Sequence, residues 1–492
     1  MNTVTHNALP LYYGGQWNRS NSSECVDVRN PATSEVLART PLGDKQDVNR
    51  AVEAAAAAFP SWRRTPAGDR IQYLFRLKGI LEQEFDSLAE LCTTENGKTL
   101  AESRAELRRA IENVEVACGI PSLMQGRNLE DIASGIDEMM IRQPVGVVAA
   151  ITPFNFPAMI PFWFLPYAIA CGNTFVLKPS EKVPLTSQRI FELIKRLELP
   201  AGVLNLVHGS KAVVDALIQH PQVRAISFVG STPVAKYIYQ QSAVYGKRVQ
   251  CQGGAKNHVL VLDDAELETA SRIVSDSAFG CAGQRCLAIS VALTVGEAGK
   301  EFSESIAAAA SSIQVGNGLE AGIQMGPVIT PESKRRIESL IDQGVKEGGK
   351  VLVGGPSQNG NGSGNFLKPT VLENIPTSSA LYASEIFGPV LSLIHVSTLE
   401  EGIEILARGS YGNMASIFTT SGAAARRFRY EVPAGNIGIN IGVAAPMAYF
   451  PFSGWRESFF GDLHAQGGDA IDFYTEKKVV VERWPKEWSR RF

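Results

Sequence analysis

At 492 residues the chain is longer than one ordinary domain of roughly 100–200 residues, and its 45% hydrophobic and 20% charged content excludes disorder as the default state. Lys and Arg (47) against Asp and Glu (50) leave a net charge of −3, which gives no basic stripe for a nucleic-acid backbone and no polybasic membrane anchor. The seven cysteines are scattered, with no Cys-x-x-Cys or Cys/His zinc spacing, so no metal site and a reduced, cytoplasmic compartment are expected.

Residues 1–17 lack a basic segment followed by an apolar one, so no secretory or transit peptide is expected. A hairpin-like segment over 11–30 precedes a helix over 47–59, which Pro60 should stop. Ile71, Leu74, Phe75, Leu81, Phe85, Leu88 and Leu91 recur at three- and four-residue steps and predict one long amphipathic helix. A third helix is expected over 102–117. From Pro144 to Leu177 no residue is charged, a run long enough on count to cross a bilayer. Pro153, Pro157, Pro161 and Pro166 interrupt it and Gly172-Asn173 turns it, so it reads as buried strand, loop, buried helix and buried strand.

Short apolar runs at 145–151, 174–177, 203–207, 225–229 and 259–262 predict strands, separated in several places by helices over 187–197, 211–220 and 234–242. Such alternation predicts right-handed crossovers and an open, doubly wound α/β sheet. A second alternating series runs from about 267 through 291–295, 302–313, 334–344, 390–396 and 417–419 and predicts a second α/β domain. The Gly-, Asn- and Ser-rich tract 354–365 reads as an exposed loop. The tail, 473–484, alternates charged and β-branched residues, and fits equally an edge strand of its own domain or a strand added to another subunit's sheet.

No Gly-x-Gly-x-x-Gly follows a strand. Instead the run 225–229 ends in Gly230-Ser231-Thr232-Pro233 and enters a helix, a junction that can offer backbone N–H groups to a phosphate or can be a plain turn. Leu177-Lys178-Pro179-Ser180-Glu181 ends a buried strand, where open α/β sheets bind ligands, although a strand reaching solvent looks the same. In Gly280-Cys281-Ala282-Gly283-Gln284-Arg285-Cys286 the cation beside Cys286 favours a reactive thiolate. Cys25, Cys92, Cys118, Cys171 and Cys281 read as packing. The six histidines form no triad, and only His258, beside Lys256-Asn257, invites attention.

Five motifs then stand in order: Pro153-Phe154-Asn155-Phe156-Pro157, Leu177-Lys178-Pro179-Ser180-Glu181, Phe228-Val229-Gly230-Ser231-Thr232, Gly283-Gln284-Arg285-Cys286 and Glu385-Ile386-Phe387-Gly388-Pro389-Val390. Together, over about residues 13–484, they resemble the NAD(P)-dependent aldehyde dehydrogenase superfamily. That resemblance implies an aldehyde dehydrogenase-like α/β fold. A Rossmann-type NAD-binding domain (1–123 and 144–252), an α/β catalytic domain (253–456) and a small β oligomerisation element (124–143 and 457–492) are expected, in a homodimer or homotetramer. It implies Cys286 as nucleophile and Asn155, with the Cys286 N–H, as oxyanion donors. Phe154, Lys178, Glu181, Gly230, Ser231, Glu385 and Phe387 would contact the cofactor, and a carboxylate at Glu181 favours NAD over NADP. Ala235 stands where many members have a second glycine after Gly230.

The informative departure is Gln252, 34 positions before Cys286, where most hydrolytic members carry a glutamate that activates water. An amide has no useful proton-accepting pKa, so the thioester should wait for coenzyme A. With Gly254-Ala255-Lys256-Asn257-His258 and Phe450-Pro451-Phe452-Ser453-Gly454-Trp455, this resembles the CoA-acylating methylmalonate-semialdehyde dehydrogenase subgroup. The subgroup implies Arg109 and Arg285 as the clamp for the substrate carboxylate and a decarboxylated acyl-CoA as product. The alternatives are a hydrolytic NAD-dependent semialdehyde dehydrogenase that releases free acid, against which Gln252 argues, and a catalytically silent protein, against which Cys286, Asn155 and Glu385 argue.

Overall fold

A computed structural model describes residues 8–355 and 364–484. Most of the predicted loop tract 354–365, and the last eight residues of the expected oligomerisation element, therefore lie outside the described residues.

Eight strands make the first sheet, in the order Gln16–Asn18, Leu11–Tyr13, Leu204–Leu206, Thr174–Lys178, Val147–Ile151, Val223–Val229, Arg248–Gln252 and Phe459–Gly461. Its five inner strands run parallel, and antiparallel strands close both edges. The chain moves outward from Val147–Ile151 on one side and then returns to add Val223–Val229 on the other. The crevice at the carboxyl ends between those two strands is the place where such sheets take ligands. Val147–Ile151 is buried along its whole length. Val147, Ala149 and Ile151 pack with Val48, Val52 and Leu217 on one face, while Val148 and Ala150 join Leu74, Ile111 and Phe191 on the other. Burial on both faces is why the uncharged stretch is a sheet core, and among the described residues no helix is long and apolar enough to cross a membrane.

The second sheet has seven strands: Lys350–Val353, Thr370–Glu373, Val390–Val396, Ile289–Val295, Asn257–Val261, Met414–Phe418 and Asn436–Ile439. All pairs are parallel except the outer Lys350–Val353. Residues 253–256 carry the chain from the carboxyl end of Arg248–Gln252 to the amino end of Asn257–Val261, so the functional ends of the two sheets face a common seam. The tail strand Thr475–Glu482 pairs antiparallel with Ile136–Pro144 of its own chain, which pairs with Arg127–Ala133.

Two helix predictions need correction. The first helix spans Lys45–Trp62 with Pro60 inside it. Pro60 lies in the last turn, where it removes one hydrogen bond, and the buried Trp62, whose Nε1 donates to Ile169 O at 3.1 Å, draws the helix past it. The long helix is two, Ala67–Gln83 and Phe85–Asn96, broken at Glu84. Glu84 accepts from Arg189 and Arg196 of the helix Leu185–Lys195 and its cap, at 3.1 Å each. The break turns the second piece toward that helix, an influence from far along the chain that local periodicity does not carry.

The tail is pinned by Tyr474, fully buried at the end of the helix Gly467–Tyr474, whose hydroxyl shares a hydrogen bond of 2.8 Å with Ser227 Oγ, itself bonded by Gln250 Nε2 at 2.9 Å. Tyr474→Phe leaves this buried network short of a member and is expected to cost about 1–3 kcal/mol in denaturant unfolding with little change of shape.

Candidate active site

The segment that bears Cys286 hangs between the helix Leu267–Phe279 and the strand Ile289–Val295. Cys281 and Ala282 both have φ 52°, and Gly283 has φ 69°, so three successive residues turn left-handed. That conformation costs a non-glycine residue roughly 1–2 kcal/mol and must be held from outside. Glu102 does so: its Oε1 accepts the Cys281 N–H at 2.5 Å. Gly283 has to be glycine on two counts, since a Cβ there would also lie 2.0 Å from the Gly388 carbonyl oxygen. The loop that leads to Cys286 thus rests on the backbone of the segment that carries Glu385 and Phe387.

Glu102 belongs to a capping box, with Thr99 as N-cap of the helix Leu100–Ala117. Just before it, Lys98 is buried and its Nζ lies 2.6 Å from Glu106 Oε2 and 2.5 Å from Asn155 O. Burial works against the Lys98 cation, but Glu106, with smaller contributions from Cys92 and Cys281, opposes it and the pKa is raised. Glu106 Oε1 accepts the N–H groups of Ala158 and Met159 at 2.7 and 3.0 Å. One buried ion pair therefore fixes the loop that bears Asn155. Asn155 Nδ2 in turn donates to Gln284 O at 3.1 Å, two residues before Cys286, and keeps its second N–H.

A cavity of about 190 Å³ joins Cys286 to Arg109 and Arg285, walled by Phe156, Trp163 and Phe452. Arg109 pairs with Glu112 at 2.8 Å and touches Met447 Sδ. Arg285 Nη2 donates to the Asp276 and Ser277 carbonyls at 2.6 and 3.1 Å, capping the preceding helix, while its buried Nε has no partner. The structure brings both arginines to the cavity that holds Cys286, each already committed on one side to the protein. Cys281 lines the same cavity but is buried, and burial pushes its thiol up to about 12.

Cys286 is half-buried. Its thiol is pushed up to about 12 by burial and by the Glu385 carboxylate, against the pull of the Cys286 N–H, Arg285 and the Leu287 N–H. Glu385 is itself pushed up to about 7 by burial, although Ala255 N–H, at 2.8 Å, Arg336 and Lys256 oppose the shift. Gln252 ends the strand Arg248–Gln252, buried, with Nε2 on Phe452 O at 3.2 Å and Oε1 unpartnered. His258 is buried against Tyr382 at 3.1 Å and brought down to about 3 by burial and Lys256, a packing role.

On the cofactor side, Lys178 and Glu181 pair at 3.0 Å beyond the strand Thr174–Lys178. Ser231 is the N-cap of the helix Thr232–Val244 and spends no side-chain bond on it. Phe154 and Phe387 meet edge to face at 5.8 Å. The hydroxyl of Thr152, at the carboxyl end of Val147–Ile151, is buried without a partner. A cation–carboxylate pair suited to hydroxyls, a free helix N-terminus and an orphaned hydroxyl converge on the switch-point crevice, and this donor set fits a dinucleotide. Sequence reading missed Lys98, Glu102 and Glu106, although Thr99-Leu100-Ala101-Glu102 carries the capping-box spacing.

A crevice that fits a dinucleotide, together with a cavity that holds a half-buried cysteine, defines an oxidoreductase. The sequence pattern of the aldehyde dehydrogenase family matches residues 17–480. Malonate-semialdehyde dehydrogenase 1 of Geobacillus thermodenitrificans is 49% identical over 97% of this chain and 99% of its own length. Malonate-semialdehyde dehydrogenase of Halalkalibacterium halodurans is 47% identical over 98% and 100%. The crystal structure of methylmalonate-semialdehyde dehydrogenase from Oceanimonas doudoroffii superposes with a TM-score of 0.95 at 42% identity, covering 98% of this chain and 99% of that one. The chain belongs to the aldehyde dehydrogenase family.

Glu385 is a like charge beside a thiol that must ionise. Glu385→Gln is therefore expected to speed alkylation of Cys286 by iodoacetamide at pH 8–9, by moving the thiol's titration downward. Peptide mapping of the labelled enzyme reads it.

Proposed function

We propose that this protein oxidises malonate or methylmalonate semialdehyde with NAD and passes the acyl group to CoA, giving acetyl-CoA or propionyl-CoA after loss of CO₂. The observation that carries the acylating reading is the amide at Gln252, at a strand end bonded to the cavity wall through Phe452. Relatives at 47–49% identity bear malonate-semialdehyde names, which supports the substrate class.

Lys178, Glu181, Gly230, Ser231, Glu385, Phe154 and Phe387 would hold NAD. Bound there, NAD supplies the hydride acceptor. Cys286 attacks the aldehyde carbon, and the spare N–H of Asn155 with the Cys286 N–H receives the oxyanion. Arg109 and Arg285 hold the carboxylate, fixing the aldehyde over the sulfur. Collapse of the tetrahedral adduct leaves a thioester on Cys286. Gln252 cannot take a proton from water, so the thioester passes to the CoA thiolate. A β-carboxyl thioester loses CO₂ readily because the thioester carbonyl stabilises the enolate left behind.

The first sheet (1–123 and 144–252), to which Phe459–Gly461 adds an antiparallel edge strand, is assigned to the cofactor and the second to catalysis (253–456). The three-stranded sheet built from 124–143 and the tail is assigned to assembly into a homodimer or homotetramer. In support, Thr475–Glu482 pairs on one side only among the described residues and exposes Val479 and Val481. Seven free cysteines support a cytoplasmic location.

Without CoA the enzyme should release a burst of NADH near one equivalent per site and then run slowly, and CoA should raise the steady rate strongly with acyl-CoA appearing in step. Full-rate release of free acid without CoA would favour the hydrolytic reading. Arg109→Leu should cost semialdehyde oxidation on the order of 2–5 kcal/mol in kcat/KM and spare propionaldehyde, which has no carboxylate to hold. Equal losses on both would give Arg109 a structural role.

A further inference from the structure

The carbonyl oxygen of Cys286 accepts two side-chain amides, Asn257 Nδ2 at 2.7 Å and Asn413 Nδ2 at 2.7 Å. Both donors are buried. Asn257 opens the strand Asn257–Val261 and Asn413 precedes the neighbouring strand Met414–Phe418, and the two are locked together by the Met414 N–H on Asn257 Oδ1 at 3.1 Å. Asn257 Nδ2 also donates to Ala288 O at 2.9 Å.

The Cys286 carbonyl lies in a turn closed by the Ala288 N–H on Arg285 O at 3.0 Å. In such a turn the central peptide, here Cys286–Leu287, is the one whose reversal separates the two common turn types. A trans peptide points its C=O and N–H in opposite directions, so whatever holds the oxygen also aims the N–H. With both lone pairs of the oxygen taken by amides from the second sheet, the Leu287 N–H is held on the opposite side of the peptide, and it is among the groups that pull the Cys286 thiol downward against burial and Glu385.

We propose that Asn257 and Asn413 form a two-amide clamp that fixes the Cys286–Leu287 peptide with its N–H turned toward the sulfur, making them positioning residues for the nucleophile. This rests on Cys286 being the nucleophile. A single donor would satisfy a buried carbonyl; two, on adjacent strands, remove the rotation that would carry the N–H away.

The charged groups facing the sulfur are Glu385 and Arg285. Around the cavity, Glu102 is committed to Cys281 N–H, Glu106 to Lys98 and Glu112 to Arg109. Neither asparagine is charged, so replacing one changes no charge, and a shift in the thiol's titration has to come from the lost orientation of the peptide.

The test is the pH profile of Cys286 alkylation by iodoacetamide in the full-length protein, located by peptide mapping, for wild type, Asn257→Ser, Asn413→Ser and Asn413→Ala. Asn436→Ala is the structural control: Asn436 Nδ2 bonds the carbonyls of Asn413 and Ser453 at 2.9 and 2.6 Å but gives nothing to Cys286. The clamp predicts a half-point at least one pH unit higher in the Asn257 and Asn413 variants, about a tenfold slower reaction below it, with an unmoved profile in Asn436→Ala and unchanged NAD affinity. The serine variants carry the test if the alanine variant does not fold. Profiles equal to wild type in folded Asn257 and Asn413 variants, or an equal shift in Asn436→Ala, overturn the clamp while Cys286 stays the reactive thiol. A Cys286 that does not react in wild type at any pH overturns the nucleophile itself.

Discussion

The buried ion pair between Lys98 and Glu106 is the contact on which the site depends. Neither partner reaches water, so each is tolerable only because the other is there, and removal of one would strand a charge at a cost of roughly 3–5 kcal/mol. The pair does more than neutralise itself. Lys98 holds the Asn155 carbonyl and stacks its ammonium 4.1 Å over the Phe156 ring, and Glu106 takes the N–H groups of Ala158 and Met159. Glu102, four residues before Glu106, holds the left-handed turn that leads to Cys286. The Asn155 loop, one wall of the cavity and the approach to Cys286 are thus referred to a single helix, Leu100–Ala117, which also carries Arg109. Arg109 and Cys286 thereby share a rigid reference.

The electrostatics of the seam work against ionisation. Burial and Glu385 push the Cys286 thiol up, and burial pushes the Glu385 carboxyl up to about 7. Lys256, brought down to about 7 by burial although Glu385 opposes this, donates to the carbonyls of Leu381 and Ser384 and fixes the segment that delivers Glu385. Gln252 adds a neutral amide, bonded to Phe452 O of the cavity wall and with its own Oε1 unpartnered.

Much of this was legible in the sequence. The inner strands Val147–Ile151 and Thr174–Lys178 are uninterrupted buried runs because both of their faces are covered, and Val223–Val229 and Thr174–Lys178 fall within a few residues of the apolar stretches that predict them. Cys286, Asn155 and Arg285, named from contiguous motifs, and Arg109, named from the subgroup resemblance, come together in space: three line one cavity and Asn155 bonds Gln284 O beside it. The supports could not be named this way. Glu106 meets Lys98 eight residues away and the Asn155 loop some fifty residues on, and Asn413 reaches Cys286 across 127 positions. Such partners are chosen by the sheet order, which no local pattern encodes. The same limit explains the break at Glu84, set by Arg189 and Arg196, and the tail strand, whose partner Ile136–Pro144 lies more than three hundred residues upstream.

The central claim is that the site makes a thioester on Cys286 and then denies it water. Intact-mass measurement of enzyme mixed with NAD and malonate semialdehyde, with CoA withheld, tests this most directly. The account predicts near-stoichiometric acylation, confined by peptide mapping to Cys286, that persists long after the NADH burst and disappears when CoA is added. An enzyme that consumes semialdehyde and NAD under the same conditions while remaining unmodified would show that water reaches the thioester freely, and would contradict it.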